Sequence, residues 1–396
     1  MENKPLLSIV IPTRNRQKYA ICCIQTILSK FKDNIELIVS DNSDTNELQN
    51  DIYEQINDFR LKYNYDPKPM STVHNFNNAM KNVAGEYVCF IGDDDCVLPN
   101  IIDLVIFAKC NKIDAITSRN MVGYSWPNDY STGEEKIYPF TCRIKKINPE
   151  KELIRFIKTN SVNYLQFNLP KIYHGIVRKE CFDQVKDKIG YYFGGLSVDI
   201  FSSVAISLVS KNLILINYPF TIAGSSPISD LTHRSKMAKE IELSAAPHFR
   251  ERGYYEWSSL VPKLYSGETI WSESCIKALI EFERFDIIDK INPYILAANI
   301  SISQPRLEKK ILKEYFQADY SLCKMIRYKW CKLNAFYSNN RKRIIRKIDI
   351  ICFAKVKKIE KIIGVTNIEK ATNNFEFFIK SKNIYLNKYL DRYTTK

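Results

Sequence analysis

Residues 86–99 read EYVCFIGDDDCVLP: an apolar, β-prone run from Glu86 to Ile91, a glycine, three consecutive carboxylates, and an apolar return closed by Pro99. The run reads as a buried strand, which places Asp93, Asp94 and Asp95 at its carboxyl end. In an open parallel sheet, ligands bind outside the carboxyl ends of the strands, where loops and helix N-termini converge. Three acids after a strand are also a common solvated turn. The apolar return Cys96-Val97-Leu98 argues against a turn that is wholly exposed.

Working outward, Leu6–Ile11 (LLSIVI), closed by Pro12, and Glu36–Ser40 (ELIVS), ending in Asp41, read as two more short strands. Gln17–Lys30 between them carries apolar residues at helical intervals. The result is a βαβ unit of about 30 residues, which predicts a parallel sheet. A helix over Asp51–Phe59, a strand over Leu61–Tyr65 and a helix over Asn75–Val83 extend the alternation, and the fold class expected is α/β. Met121–Asn148, rich in Tyr, Trp, Pro, Asn and Gly, shows no clear period and is expected to be a long loop or irregular hairpin over the sheet. From about Ser235 onward the pattern becomes mainly helical. Its clearest stretch is Arg341–Gly364, where Ile345, Ile348, Cys352, Val356, Ile359 and Ile363 form one stripe and Lys and Arg crowd the other faces. The expected boundary lies near 235–245. It separates an α/β domain at 1–240, with halves 1–105 and 106–240, from a basic helical region at 241–396.

At 396 residues and 45% hydrophobic content, the chain can bury a sizeable core, and it is neither disordered nor of low complexity. Its 11 cysteines form no CxxC pair, which fits reduced, mostly buried residues of a cytosolic protein. The N-terminal apolar run is too short for a signal peptide, and no stretch reaches the roughly 18 apolar residues of a membrane span. The net charge of +14 is local: residues 301–396 hold 23 Lys plus Arg against 8 Asp plus Glu. Such a balance points that end toward an anionic surface, a membrane leaflet or nucleic acid. A bundle with solvated Lys faces explains the same pattern.

Four features land on one sheet edge: Pro12-Thr13-Arg14-Asn15, Asp41-Asn42-Ser43, Asn75–Asn78 and the triplet. No GxGxxG follows the first strand and no GxxxxGK[ST] occurs, so the usual Gly-rich phosphate cradles are absent. Carboxylates that hold Mg2+ or Mn2+ offer another route to a diphosphate, because the metal bridges its oxygens. Asp41 also suits an Asx-turn.

The three blocks SIVIPTRNR, ELIVSDNS and NFNNAMKNVAGEYVCFIGDDDCVLP resemble, in order and spacing, the N-terminal half of the family 2 glycosyltransferases of bacterial surface-polysaccharide type. A weaker similarity runs from about Tyr173 to Ser229. The resemblance implies the GT-A fold, a Rossmann-like mixed sheet flanked by helices that binds a nucleotide-diphospho-sugar, here with a mainly helical C-terminal extension. Residues 1–105 would then be the nucleotide-sugar half and 106–240 the acceptor half. Pro12, Thr13, Arg14 and Asn15 would wrap the nucleotide, and Asp41 would read the base, typically uracil. Arg60 and Asn77 match less constant positions near the base and phosphates.

Asp93 and Asp95 match the outer positions of the DxD motif, the last being the usual metal ligand, and Asp94 fills its variable middle. Asp199 stands where the family keeps its catalytic base, although it equally suits a helix N-cap. His233 could be a further metal ligand or a surface histidine, and His174 could line an acceptor pocket or make a structural hydrogen bond.

The activity implied is an inverting, metal-dependent transfer of a sugar, from a UDP-sugar by preference, to a polysaccharide or lipid-linked oligosaccharide. The cofactor implied is Mn2+ or Mg2+. The location implied is cytoplasmic and peripheral to the membrane through 341–364, with nucleic acid disfavoured as a partner. The alternative is a non-catalytic scaffold whose basic tail binds membrane or nucleic acid.

Overall fold

The computed structural model describes residues 4–159, 161, 164–227, 243, 246–316 and 321–394. The first part alternates as β1 (Leu7–Thr13), α1 (Gln17–Lys30), β2 (Ile35–Asp41), α2 (Glu47–Gln55), β3 (Leu61–Tyr65), α3 (Thr72–Met80) and β4 (Tyr87–Phe90). There follow β5 (Cys96–Val97), α4 (Ile101–Cys110), β6 (Ala115–Ser118), β7 (Val122–Ser125), β8 (Glu134–Ile137), β9 (Ile144–Ile147) and α5 (Pro149–Ile157). Next come β10 (Ile176–Arg178), α6 (Lys179–Ile189), α7 (Val198–Val209), β11 (Leu213–Ile216) and β12 (Thr221–Ser225). The remainder holds α8 (Gly267–Glu281), α9 (Phe285–Ile288), α10 (Pro293–Ser303), α11 (Glu308–Phe316), α12 (Leu322–Phe353), β13 (Glu360–Ile363), α13 (Ile368–Ser381) and α14 (Asn387–Thr394).

An eight-stranded mixed sheet runs in the order β3-β2-β1-β4-β10-β6-β11-β9. Its first four strands are parallel, and β10 is antiparallel to both β4 and β6. Successive strand residues point to opposite faces. Leu7, Ile9 and Ile11 therefore enter one apolar cluster, while Val10 enters another with Ile38, Val88 and Phe90. With both faces covered, a continuous apolar run is what these strands require. The parallel register sets the site. Val10 pairs with Phe90 and Thr13 with Asp41, so three steps beyond Val10 and Phe90 the chain brings Thr13 opposite Asp93.

The stretch 121–148, expected as a loop, instead contributes β7, β8 and β9. The first two belong to a five-stranded sheet, β13-β8-β7-β12-β5, whose β5 carries the chain onward from the triplet. These strands escaped the periodicity reading because Glu135 occupies a fully buried position in β8, where it accepts a hydrogen bond from Asn374 Nδ2 at 3.1 Å. A charged residue on the inward face breaks the apolar alternation that marks a strand.

The helix expected over 341–364 also ends early. Helix α12 stops at Phe353, Lys355 N–H donates to the Phe140 carbonyl at 2.8 Å, and Glu360–Ile363 forms β13 against β8. The single isoleucine stripe is accordingly split, with Ile345 and Ile348 exposed on the helix and Val356 buried beyond it. Past β13 the chain packs on the eight-stranded sheet's core: Phe375 of α13 is fully buried in the cluster that holds Ile9 and Ile24, and Lys30 of α1 reaches Glu376 at 3.2 Å. We expect Phe375→Ala to cost about 3–5 kcal/mol, as for other buried aromatics, measured by urea unfolding of the whole chain.

Helices α8, α10, α11 and α12 build their own apolar cluster around Leu296, Ile300, Ile311 and Tyr328. Among the described residues, no helix is long and apolar enough to cross a membrane.

Candidate active site

The triplet is a buried turn, with each of its three residues no more than 5% exposed. Asp93 Oδ2 accepts from Thr13 Oγ1 at 2.6 Å, the contact the strand register prepares, and Asp93 Oδ1 lies 2.9 Å from Arg16 Nη1. Asp94 Oδ2 takes Arg16 Nη2 at 2.6 Å and Ser226 N–H at 3.0 Å. Asp95 is turned inward: Oδ2 accepts from Gly92 N–H at 2.7 Å and from His174 Nε2 at 3.1 Å, while Oδ1 accepts from Gly224 N–H at 2.7 Å. Gly224 can only be glycine, because a Cβ there would lie 1.7 Å from the Asp94 carbonyl oxygen.

These environments separate three identical side chains. Burial drives Asp93 up to about 7 despite Arg16, and burial with the neighbouring Asp95 raises Asp94. Burial would raise Asp95 as well, but His174 and the two N–H donors outweigh it and hold its carboxyl below the usual range.

The loop after β1 locks onto the loop after β2. Asn15, at φ +54°, donates its N–H to Ser43 Oγ at 2.8 Å, and Arg14 reaches Asn42 Oδ1 at 3.2 Å and Asp44 at 2.8 Å. A cleft of about 480 Å3 opens above, lined by Pro12, Thr13, Arg14, Asn15, Asp93 and, on the far wall, Asp199. Asp199 occupies the first turn of α7. The start of that helix is anchored by Ser274 Oγ of α8, which accepts from Leu196 and Ser197 N–H at 3.0 and 2.7 Å.

Other expected residues are placed differently. Asp41 forms the Asx-turn, with Oδ1 accepting from Ser43 N–H at 2.9 Å and Oδ2 from Tyr63 OH at 2.7 Å, and its neighbour Asn42 lines the cleft. Arg60 stands just before β3, at the opposite end of the strands from the triplet. There its guanidinium binds Asp58 at 2.5 Å and the Leu28 carbonyl at 2.8 Å, tying down the end of α1. Asn77 holds the loop after α6: its Nδ2 donates to the Phe193 carbonyl at 2.8 Å and its Oδ1 accepts from Tyr192 N–H at 3.0 Å. His233 lies outside the described residues.

With that geometry in place, the family described as Glycosyl transferase family 2 matches residues 8–168, which hold the loop after β1, the Asx-turn and the triplet. Over residues 8–168 the chain is similar to the family 2 glycosyltransferases. The putative colanic acid biosynthesis glycosyl transferase WcaA of Escherichia coli K12 is 34% identical over 110 residues, which is 28% of this chain and 39% of that protein. The GalNAc(5)-diNAcBac-PP-undecaprenol beta-1,3-glucosyltransferase of Campylobacter jejuni is 34% identical over 114 residues, 27% of this chain and 35% of that protein. The chain thus spans little more than a third of the length of these relatives. Among solved structures, that of Staphylococcus aureus TarS residues 1–349 with UDP-GlcNAc is 16% identical, covers 82% of this chain and 79% of that one, and has a TM-score of 0.45. The mixed sheet with flanking helices is the arrangement expected from the sequence resemblance.

Several residues around the cleft escaped the sequence reading. Arg16 lies one position past the expected loop, and its signal was a cation beside a strand-end acidic cluster. Asn75, already placed on this edge by the sequence, donates to the Ser40 and Thr13 carbonyls at 3.1 and 3.4 Å, joining the two loops. His248, Arg250 and Arg252 line the cleft from far along the chain, where no local pattern marks them.

Among the described residues, no group of three or more metal-type side chains converges. Of the two carboxylates expected to hold a divalent ion, Asp93 lines the cleft and Asp95 is turned away from it. Asp93 faces the cleft and already requires a neighbouring positive charge, which Arg16 supplies, and Asp95 uses three of the roughly four acceptor positions a carboxylate offers.

Asp93 also carries a pH signature. Its carboxyl titrates at an ordinary value of 3.8 when unfolded and at about 7 when folded, so between these values only the native state holds the proton. Its contribution to ligand-free stability is present below the lower value and is lost as pH rises through the upper one, at ~1.4 kcal/mol for each pH step of one between them. Glu135 and Glu273, also raised to about 7 by burial, act with the same sign. Asp93→Asn should therefore flatten part of the slope. Urea unfolding at intervals across that range checks it, and an unchanged slope would refute the assignment.

Proposed function

We propose that the chain transfers a sugar, with inversion, from a nucleotide-diphosphate sugar to a hydroxyl of a polysaccharide or lipid-linked oligosaccharide, and that the donor is a UDP-sugar. The observation that carries this reading is that Asp93 and Asp199, from separate halves of the domain, line one cleft. The loop Pro12–Asn15 and Asn42 enclose the nucleoside end. Arg16 balances the charge of the triplet beside the diphosphate. Mn2+ or Mg2+ held by Asp93 and Asp95 would supply further neutralisation of the leaving diphosphate, a contribution of several kcal/mol in enzymes generally. The Asp199 carboxylate takes the acceptor's hydroxyl proton as the new C–O bond forms at the anomeric carbon. The bond to the diphosphate oxygen breaks on the opposite face, and its electron pair leaves with the nucleotide. The names of the E. coli and Campylobacter relatives support a role in surface-glycan synthesis.

Helix α12 adds a peripheral membrane location at the cytoplasmic face. Its sequence holds nine Lys or Arg and one Asp, and Ile326, Trp330, Phe336, Ile344, Ile348 and Ile351 are each more than half exposed. A basic helix that also exposes apolar side chains suits an anionic leaflet, where each cation near the surface contributes ~1 kcal/mol. The anionic-surface contact assigned to 341–364 thus moves to 322–353.

The enzymatic reading is tested by Mn2+-dependent protection from thermal unfolding by UDP, followed by UDP release from a panel of UDP-sugars. No shift with UDP, GDP or dTDP in the presence of metal would sink it. Sedimentation with phosphatidylglycerol but not phosphatidylcholine vesicles, weakened by salt, checks the membrane contact.

A further inference from the structure

A second cleft, about 690 Å3, opens beside the first, and Met70, Val73 and Arg252 line both. Its wall is the 190–195 loop between α6 and α7. Gly190 and Gly195 take left-handed φ values of +88° and +61° there, and Asn77 clamps the loop through Tyr192 and Phe193. Tyr191, Tyr192, Tyr254 and Tyr255 line the cleft, and Tyr254 is 93% exposed. Aromatic faces set among hydrogen-bonding groups suit the apolar faces of sugar rings.

The charges narrow the ligand. Among the described residues, Lys81, Lys186, Lys277 and Arg252 line the cleft against the single carboxylate of Glu256. Lys277 is paired with Glu281 at 2.8 Å, but Lys186 rests 5.1 Å from the Tyr192 ring and Lys81 meets the neutral Asn78 at 2.7 Å. Arg252 lies 5.1 Å from the Tyr255 ring and has no carboxylate partner among the described residues, and burial lowers its pKa. A partly desolvated guanidinium without a counter-ion is costly, and its fork geometry matches a phosphate or carboxylate. A neutral glycan would cover this cation and leave it unpaired.

We infer that the second cleft is the acceptor subsite and that it takes an anionic glycan, whose phosphate or carboxylate substituent is held by Arg252, with Lys81 and Lys186 further out, close to the hydroxyl presented to Asp199. This rests on the first cleft being the transfer site. It also gives Asn77 a function: it is a positioning residue for the acceptor loop.

The test titrates the full chain, with UDP and Mn2+ present, against three hexamers: oligogalacturonate, glycerol-phosphate oligomer and maltohexaose. At least one anionic hexamer should bind about tenfold or more tighter than maltohexaose, and which one does so decides between carboxylate and phosphate. Lys81→Gln with Lys186→Gln, and separately Arg252→Gln, should each lower anionic affinity about tenfold, while Lys347→Gln on α12 should not. Equal affinity for maltohexaose, no binding of any hexamer, or an equal loss in Lys347→Gln would overturn the inference. UDP-induced thermal protection is read separately in the Lys81→Gln/Lys186→Gln chain, so failure of the donor site is distinguishable from failure of the acceptor subsite.

Discussion

Asp199→Asn is expected to lower sugar transfer by ~10²- to 10⁴-fold while leaving UDP binding within about twofold of the parent, because a positioned base acts on the rate of proton transfer. The substitution keeps the size of the side chain and the first turn of α7, whose start is held independently by Ser274. The loss should appear in kcat, since the acceptor still docks but its hydroxyl keeps its proton into the transition state. Steady-state transfer assays together with UDP thermal shift make the measurement. If Asp199→Asn transfers at the parent rate, Asp199 is a helix-terminus residue and the base lies elsewhere.

Asp95→Ala is expected to lose both metal-dependent UDP protection and about 3–5 kcal/mol of stability, as when one partner of a buried charged network is removed. The carboxylate accepts from Gly92 and Gly224 N–H and from His174, so its removal strands three buried donors at once. Asp95→Asn keeps one acceptor oxygen and should recover part of the stability without the metal response. The two neighbours have opposite pH signs. The folded carboxyl of Asp95 is depressed, so its stabilisation is present above the ordinary carboxylate value and fades as pH falls, the reverse of Asp93. Urea unfolding of both variants, paired with UDP and Mn2+ thermal shifts, separates the stability effect from the binding effect. An Asp95→Ala chain as stable as the parent would mean that the inward orientation of this carboxylate is wrong.

Much of residues 1–105 was legible because its determinants are local. Leu7–Thr13, Ile35–Asp41 and Tyr87–Phe90 are rich in apolar residues and buried almost throughout, and the helices between them repeat at helical intervals, so the βαβ order follows from short-range pattern alone. The parallel register then brought Thr13 and Asp93 together. Elsewhere the pattern misled. The buried Glu135 disguised β8 as loop, and β13 looked helical because its isoleucines continue the spacing of α12 although its partner is a strand more than two hundred residues earlier. Arg60 and Asn77 looked like ligand contacts in one dimension, but hydrogen bonding spends them on the end of α1 and on the 190–195 loop.

The sequence by itself determined the α/β class, the strand-end position of the acidic triplet and the resemblance to family 2 glycosyltransferases, because these depend on residue type and spacing within a few turns. Tertiary structure alone decided which carboxylate of the triplet faces the cleft, that Arg16 neutralises two of them, and that Arg252 joins two clefts. Each of these depends on contacts between segments far apart in the chain, such as Asp95 with Gly224 and Asp93 with Asp199 across one cavity. Side-chain direction at such contacts is set by packing and hydrogen-bond satisfaction, which no local pattern records.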